Sequence, residues 1–152
     1  MLTTHSACNV VYRYGSRGLE FLVMDYQSTD PKTQKLTPVD VRFPAGTSQS
    51  GEFGESTEET SVRKLKEETG LDALDTERIG RKPAGEGHEK YAFLIAFKDC
   101  LGSLRDTPQE LHGDKMSNLR WVPVNELRNK IAPVHFWVYR AAREHLKRRG
   151  HT

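Results

Sequence analysis

The chain has 152 residues, and its 23 lysines and arginines nearly balance 21 aspartates and glutamates, leaving a formal net charge of +2. Overall charge therefore gives no reason to expect a nucleic-acid or membrane-surface role, and no apolar run reaches the roughly 18 residues of a membrane span. Met1 to Ser6 has neither the basic nor the apolar part of a signal peptide, so the expectation is one cytoplasmic domain over residues 1–152.

In chain order, Ala7 to Tyr14 and Leu19 to Tyr26 are rich in strand formers, and Gly15-Ser16-Arg17-Gly18 between them predicts a hairpin. Cys8, with Cys100 the only other cysteine, is too isolated for a disulfide framework; both read as buried, reduced thiols. The polar stretch Gln27 to Thr37, which contains Pro31, predicts an exposed loop. Val39 to Phe43 should be a short strand ending at Pro44, and the glycine-containing Ala45 to Gly54 a loop. A helix is predicted from about Thr57 to Thr69, then a strand around Asp75 to Arg81. Lys82 to His88 should be a loop and Lys90 to Phe97 a buried strand. Asp99 to Ser117 is predicted to be irregular, and a loop of that length is more often functional than not. Leu119 to Val122 should form a short strand, Asn125-Glu126-Leu127 a small helix, and Pro133 should open the last helix at its first position. On that helix Val134, Val138, Ala141 and His145 share one face, with Trp137, Ala142 and Leu146 beside them, a pattern that suits packing on a sheet. The sum is an α/β class with a central mixed sheet and helices on both faces.

The central helix carries the chemistry. Ser56 and Glu59 form a capping-box pair, and Gly70 is placed for a left-handed C-cap with Leu71 behind it. At about 100° per residue, Lys64, Glu67 and Glu68 fall in one narrow sector, while Val62, Leu65 and Thr69 lie in another that can pack. Carboxylates crowded on one face are costly unless a cation neutralises them, which suggests a divalent metal and a polyphosphate. A solvated Glu/Lys face is the plainer alternative, since an i,i+4 pair such as Lys64–Glu68 adds only about 0.2–0.5 kcal/mol.

The flanks shift that weighing. Glu55, seven residues, then Arg63, with Leu65, Glu67-Glu68, Gly70 and Leu71 in register, resembles the signature of the Nudix hydrolase family. Phe43-Pro44-Ala45-Gly46 is similar to the strand end that precedes that signature, and Arg120-Trp121-Val122-Pro123 with Glu126-Leu127 to the family's late strand and helix. The resemblance implies a Nudix-like α/β/α sandwich and hydrolysis of a pyrophosphate bond in a nucleoside diphosphate-linked substrate. It implies Mg2+ or Mn2+ as cofactor, held by Glu67 and Glu68 with the backbone carbonyl near Gly46. Arg63 and Glu55 complete the catalytic set by pairing and holding the helix against its loop. The implied partner is a small-molecule nucleotide; a membrane is not expected, nor nucleic acid apart from a capped RNA end. Homodimers are common among relatives, though nothing in the sequence demonstrates one.

Two departures stand out. The residue after Arg63 should be a metal-binding glutamate, and here it is Lys64; the family's glycine position falls on Gln49, with three residues near Gln49-Ser50-Gly51 inserted in the loop. A unit charge pair at about 4 Å and an effective dielectric near 20 is worth about 4 kcal/mol, so the lysine weakens any divalent ion at this place. One reading is a metal-dependent pyrophosphohydrolase of weakened activity, with Glu110 or Asp114, or less favourably Glu89, replacing the lost ligand. The other is a catalytically impaired nucleotide-binding module in which Lys64 supplies the charge and meets phosphate directly. Arg42 and Phe53 are the further substrate-binding candidates. Arg81, Lys82, Lys90 and Lys115 lie near loops that should border the site, Tyr91 and Trp121 read as core before base-stacking residues, and His135 and His145 are poor ligand candidates.

Overall fold

The computed structural model describes residues 4–48, 54–111 and 113–150. Strands β1 (Thr4–Gly15) and β2 (Gly18–Ser28) form the expected hairpin, with Gly15 opposite Gly18 and Gly18 at φ 89° in the left-handed region. Only the turn-proximal part is paired: the two strands are in register from Gly15↔Gly18 to Tyr12↔Phe21 and then separate. Two short strands fill the gap, β3 (Asp40–Arg42) beside Met24–Tyr26 and β4 (Ala45–Thr47) beside Ser6–Cys8. This splay opens the cleft described below.

Helix α1 (Thr57–Thr69) follows, with the bounds expected from its caps. The short β5 (Asp72–Ala73) leads to β6 (Glu77–Pro83) and β7 (His88–Ala96). β7 runs parallel to β1 from Thr4↔His88 to Tyr12↔Ala96, and β6 closes that edge antiparallel. After a 3-10 turn at Phe97–Asp99, β8 (Cys100–Leu101) pairs with β5 in a separate ribbon. β9 (Gln109–Leu111) and β10 (Asp114–Pro123) complete the other side, giving the sheet order β6-β7-β1-β2-β10-β9. Helices α2 (Val124–Leu127) and α3 (Phe136–Arg148) end the chain.

The sheet is covered on both faces, which explains why β1 is buried continuously from Ala7 to Val11 and does not alternate. On one face α1 sets Leu65 against Val11, Leu22, Leu71 and Ile95; on the other α3 sets Val138, Tyr139, Ala142 and Leu146 against Val10, Phe21, Val23 and Leu94. The α/β/α arrangement with a central mixed sheet is therefore as expected. Among the described residues, no helix is long and apolar enough to cross a membrane.

Four expectations change. The stretch after Pro44 begins as β4, because its backbone groups find partners on β1 once β1 and β2 diverge. The stretch Asp99–Ser117 contains β8, β9 and the first part of β10; Asp114 and Lys115 are poor strand formers, but neighbours on both sides supply the ladder. Pro133 opens a 3-10 turn, and α3 starts three residues later at Phe136. The buried face of α3 is consequently rotated from the expected one: Val134 is 41% exposed and His145 only partly buried.

Candidate functional site

Both ends of α1 are tied down, and this sets the direction of its side chains. The Ser56 hydroxyl accepts from the Glu59 amide at 3.1 Å and the Glu59 carboxylate accepts from the Ser56 amide at 3.0 Å. Gly70 takes φ 86° and returns its N–H to the Lys66 carbonyl at 3.0 Å, the left-handed cap that only glycine adopts easily. Asn9, buried on β1, bonds the Ser61 hydroxyl at 2.6 Å and the Ser61 carbonyl at 3.1 Å, pinning the helix to the sheet. Glu67 and Glu68 thus lie in the last turn, where the helix dipole disfavours negative charge. Each needs compensation, and the two obtain it differently.

Glu67 is held by cations. Its Oε1 accepts from Arg63 at 2.9 Å and its Oε2 lies 3.0 Å from the Lys64 ammonium. Burial, the largest single influence, pushes its pKa up, but Lys64 and Arg63 together bring it below the ordinary carboxylate value. Glu68 has no such clamp. It is 4% exposed, and its Oε1 accepts the Ala45 amide at 2.9 Å. Burial drives its pKa up to about 8, against the opposing pull of the Ala45 amide and Lys64. Arg63 donates to both Glu55 oxygens at 2.5 and 2.8 Å and to the Thr47 carbonyl at 3.2 Å, joining helix, entry loop and β4. Of the two carboxylates within its reach, the lysine pairs with Glu67 at i,i+3 and not with Glu68 at i,i+4.

These groups face a cleft of about 1010 Å³ opened by the splay of β1 and β2. Lys64 lies within it, its side chain 12% exposed, with its stem laid over Gly46. A Cβ on Gly46 would fall 2.3 Å from both Lys64 Cδ and Cε. Arg42 lines the cleft but is paired with Asp40 at 2.9 Å and covers the Tyr26 ring at 4.0 Å. Asp114 lines it too, close to Tyr26, whose phenol pKa is pushed upward by burial and then by Asp114. Phe53 and the inserted Gln49-Ser50-Gly51 lie outside the described residues.

Several expected residues stand elsewhere. Glu110 is exposed on β9, and Glu89 is engaged by Arg81 at 2.5 Å and the Tyr91 hydroxyl at 2.6 Å; neither lines the cleft. Arg81, Lys82 and Lys115 do not line it either, whereas Lys90 does. The sequence reading missed Cys8, Tyr26 and His135, which reach the cleft through the splay of the sheet and the 3-10 turn before α3. Neither event leaves a local signal in the sequence. His135 Nδ1 accepts the Phe43 amide at 3.1 Å, and burial, aided by Arg42 and Lys90, depresses its pKa to about 4. Its proton therefore sits on Nε2, 3.8 Å from the Cys8 sulfur.

Whether this set suits a divalent ion can be judged from its donors. Glu67 already faces two cations and Glu68 is turned to a backbone amide; Glu55 and Asp114 also line the cleft, but Glu55 is engaged by Arg63. Among the described residues no group of three or more His, Cys, Asp or Glu is placed to hold a metal. In this arrangement the side chains do not fit the ion.

The model for the family described as NUDIX domain matches residues 3–142. No curated protein matches the chain by sequence. Among solved structures, an ADP compounds hydrolase aligns with a TM-score of 0.67 at 16% identity, covering 98% of this chain and 76% of that one. A protein from Listeria monocytogenes described as a NUDIX hydrolase aligns at 0.69 and 19%, covering 97% of each chain. The NUDIX domain of Shewanella oneidensis NrtR, complexed with ADP ribose, aligns at 0.64 and 20%, covering 96% of this chain and 90% of that one. At such identities the likeness speaks to fold alone.

Proposed function

This chain belongs to the Nudix family, and from that premise we propose that its cleft takes the diphosphate of a nucleoside diphosphate-linked small molecule and hydrolyses the pyrophosphate bond with weakened activity. The observation that carries the reading is the convergence of Glu67, Glu68, Lys64 and Gly46 on the wall of one large cleft. The volume also suits a ligand of this size, since small-molecule sites commonly span about 300–1,000 Å³. A second hollow of about 270 Å³ opens beyond Glu68, Met24 and Met116, which border both spaces. A two-part ligand could lie across that border, its nucleoside in the larger space and a compact group in the smaller.

In this reading Lys90 meets phosphate oxygens, Lys64 does so when the ligand first binds, and Arg42 turns its guanidinium from Asp40 to the ligand. Arg63 and Glu55 position the helix and touch no reacting atom. In the family a bound Mg2+ or Mn2+ supplies charge neutralisation and an activated water; here Glu67, Glu68 and the Gly46 carbonyl would be its ligands only after Lys64 moved aside. That displacement is the reason to expect weak turnover.

The test is a turnover screen of ADP-ribose and other nucleoside diphosphate derivatives with Mg2+ and with Mn2+. The wild-type chain should be slow, Lys64→Glu faster by about tenfold or more, which needs only about 1.4 kcal/mol, and Glu68→Gln inactive. No turnover by either the wild type or Lys64→Glu would end the hydrolase reading.

A further inference from the structure

We infer, on the reading that the cleft takes a diphosphate, that Lys64 is the resident cation of this site, so that the diphosphate is gripped without any divalent ion. The first support is where the ammonium is kept. A lysine near a surface ordinarily lays its stem on apolar ground and sends its charge to water. Lys64 is kept back from open solvent: its side chain is 12% exposed and its ammonium is held on the cleft wall by Glu67 at 3.0 Å.

The second support is the seat. Gly46 belongs to β4, whose pairing with β1 fixes it opposite Ala7. A Cβ there would lie 2.3 Å from Cδ and Cε of the lysine and 2.6 Å from Cγ. Those are stem atoms, not a free end that could step aside cheaply. The glycine that the family resemblance makes a metal ligand through its carbonyl is, in this chain, the bed of the lysine. Gly46 and Lys64 form a matched pair.

The third support is the local charge. Arg63 and Lys64 balance Glu55 and Glu67 without any ion. Lys90 also lines the cleft, and among the described residues it has no acidic ion-pair partner. An ammonium has three donors, and Glu67 takes one from Lys64, leaving the others for phosphate oxygens. An incoming diphosphate thus finds two lysines on a wall whose Glu55 and Glu67 are already matched by cations, with Asp114 and Glu68 the acids that remain.

Isothermal titration of the full chain with inorganic pyrophosphate and with ADP-ribose, in chelator and in Mg2+, tests this. The expected result is binding of similar affinity in both conditions. Lys64→Gln should weaken it about ten- to a hundredfold in chelator, and Gly46→Ala, which keeps the charge but removes its seat, should weaken it as well. Mn2+ paramagnetic resonance should show no bound ion in the wild type and a bound ion in Lys64→Glu. Binding that appears only with Mg2+, or that survives Lys64→Gln or Gly46→Ala unchanged, overturns the inference. The Mg2+-only result would leave the proposed function standing. No binding of either probe in either condition would overturn both.

Discussion

Arg63 gathers four acceptors, two on Glu55, one on Glu67 and the Thr47 carbonyl, at a position about a quarter exposed. Removing it takes two hydrogen bonds from the largely buried Glu55 and leaves Glu67 with Lys64 as its cation. Arg63→Met should therefore cost about 2–3 kcal/mol, read as a lower urea midpoint with unchanged slope. His135 shows the opposite economy: it is buried neutral, its pKa lowered from the ordinary 6.5 to about 4 chiefly by burial. The unfolded chain then binds a proton between those values and the folded chain does not. The contribution of His135 is complete above about pH 6.5 and is lost as pH falls towards 4, by roughly 3 kcal/mol. Glu68, raised to about 8, acts in the opposite sense over part of this range. The readout is therefore the difference in stability between wild type and His135→Gln, which should fall by this amount as pH drops from about 6.5 to 4. An equal slope in both would assign the acid sensitivity to other groups.

At the level of elements, α1 was readable from sequence because its stop and start signals are local. The serine, the glutamate three places on and the glycine after Thr69 act within a few residues of one another, and the helix has the bounds they require. Gly70 has a tertiary role as well: a Cβ there would meet the Ser103 carbonyl at 2.7 Å. Gly70→Ala should thus cost about 2 kcal/mol or more, from the left-handed backbone and the clash together, whereas Ser56→Ala should cost about 1 kcal/mol. Thermal melts of the two variants check that order. The β3 and β4 strands were not readable in the same way. Three-residue segments form only because a partner edge is already present, and β4 exists because β1 has an unpaired stretch beside it.

For the molecule as a whole, the sheet separates two hydrophobic clusters, one under α1 and one under α3. Leu65 and Leu146 are both fully buried, one in each, and truncation of either to alanine should cost about 2–5 kcal/mol. The consequences for the site should differ. Leu65→Ala loosens the helix that carries Lys64, Glu67 and Glu68, so pyrophosphate binding should fall even well below the melting temperature. Leu146→Ala leaves that helix seated and should bind as the wild type does. Equal loss of binding in both would mean that the cleft depends on the sheet as one unit, not on α1.

What the sequence by itself determined is what short-range physics governs: the hairpin turn, the capped helix, the spacing that aligns Arg63, Lys64, Glu67 and Glu68, and the family to which that spacing belongs. Only the tertiary structure decided which partner each charge takes. Lys64 pairs with Glu67 because Gly46 offers its stem a bed from another strand; Glu68 turns to the Ala45 amide because the sheet buries it; and Glu110 and Glu89 stay out of the cleft because strand register holds them elsewhere. A carboxylate's partner depends on distances of a few ångströms between residues far apart in the chain, and no local pattern of residues encodes those distances.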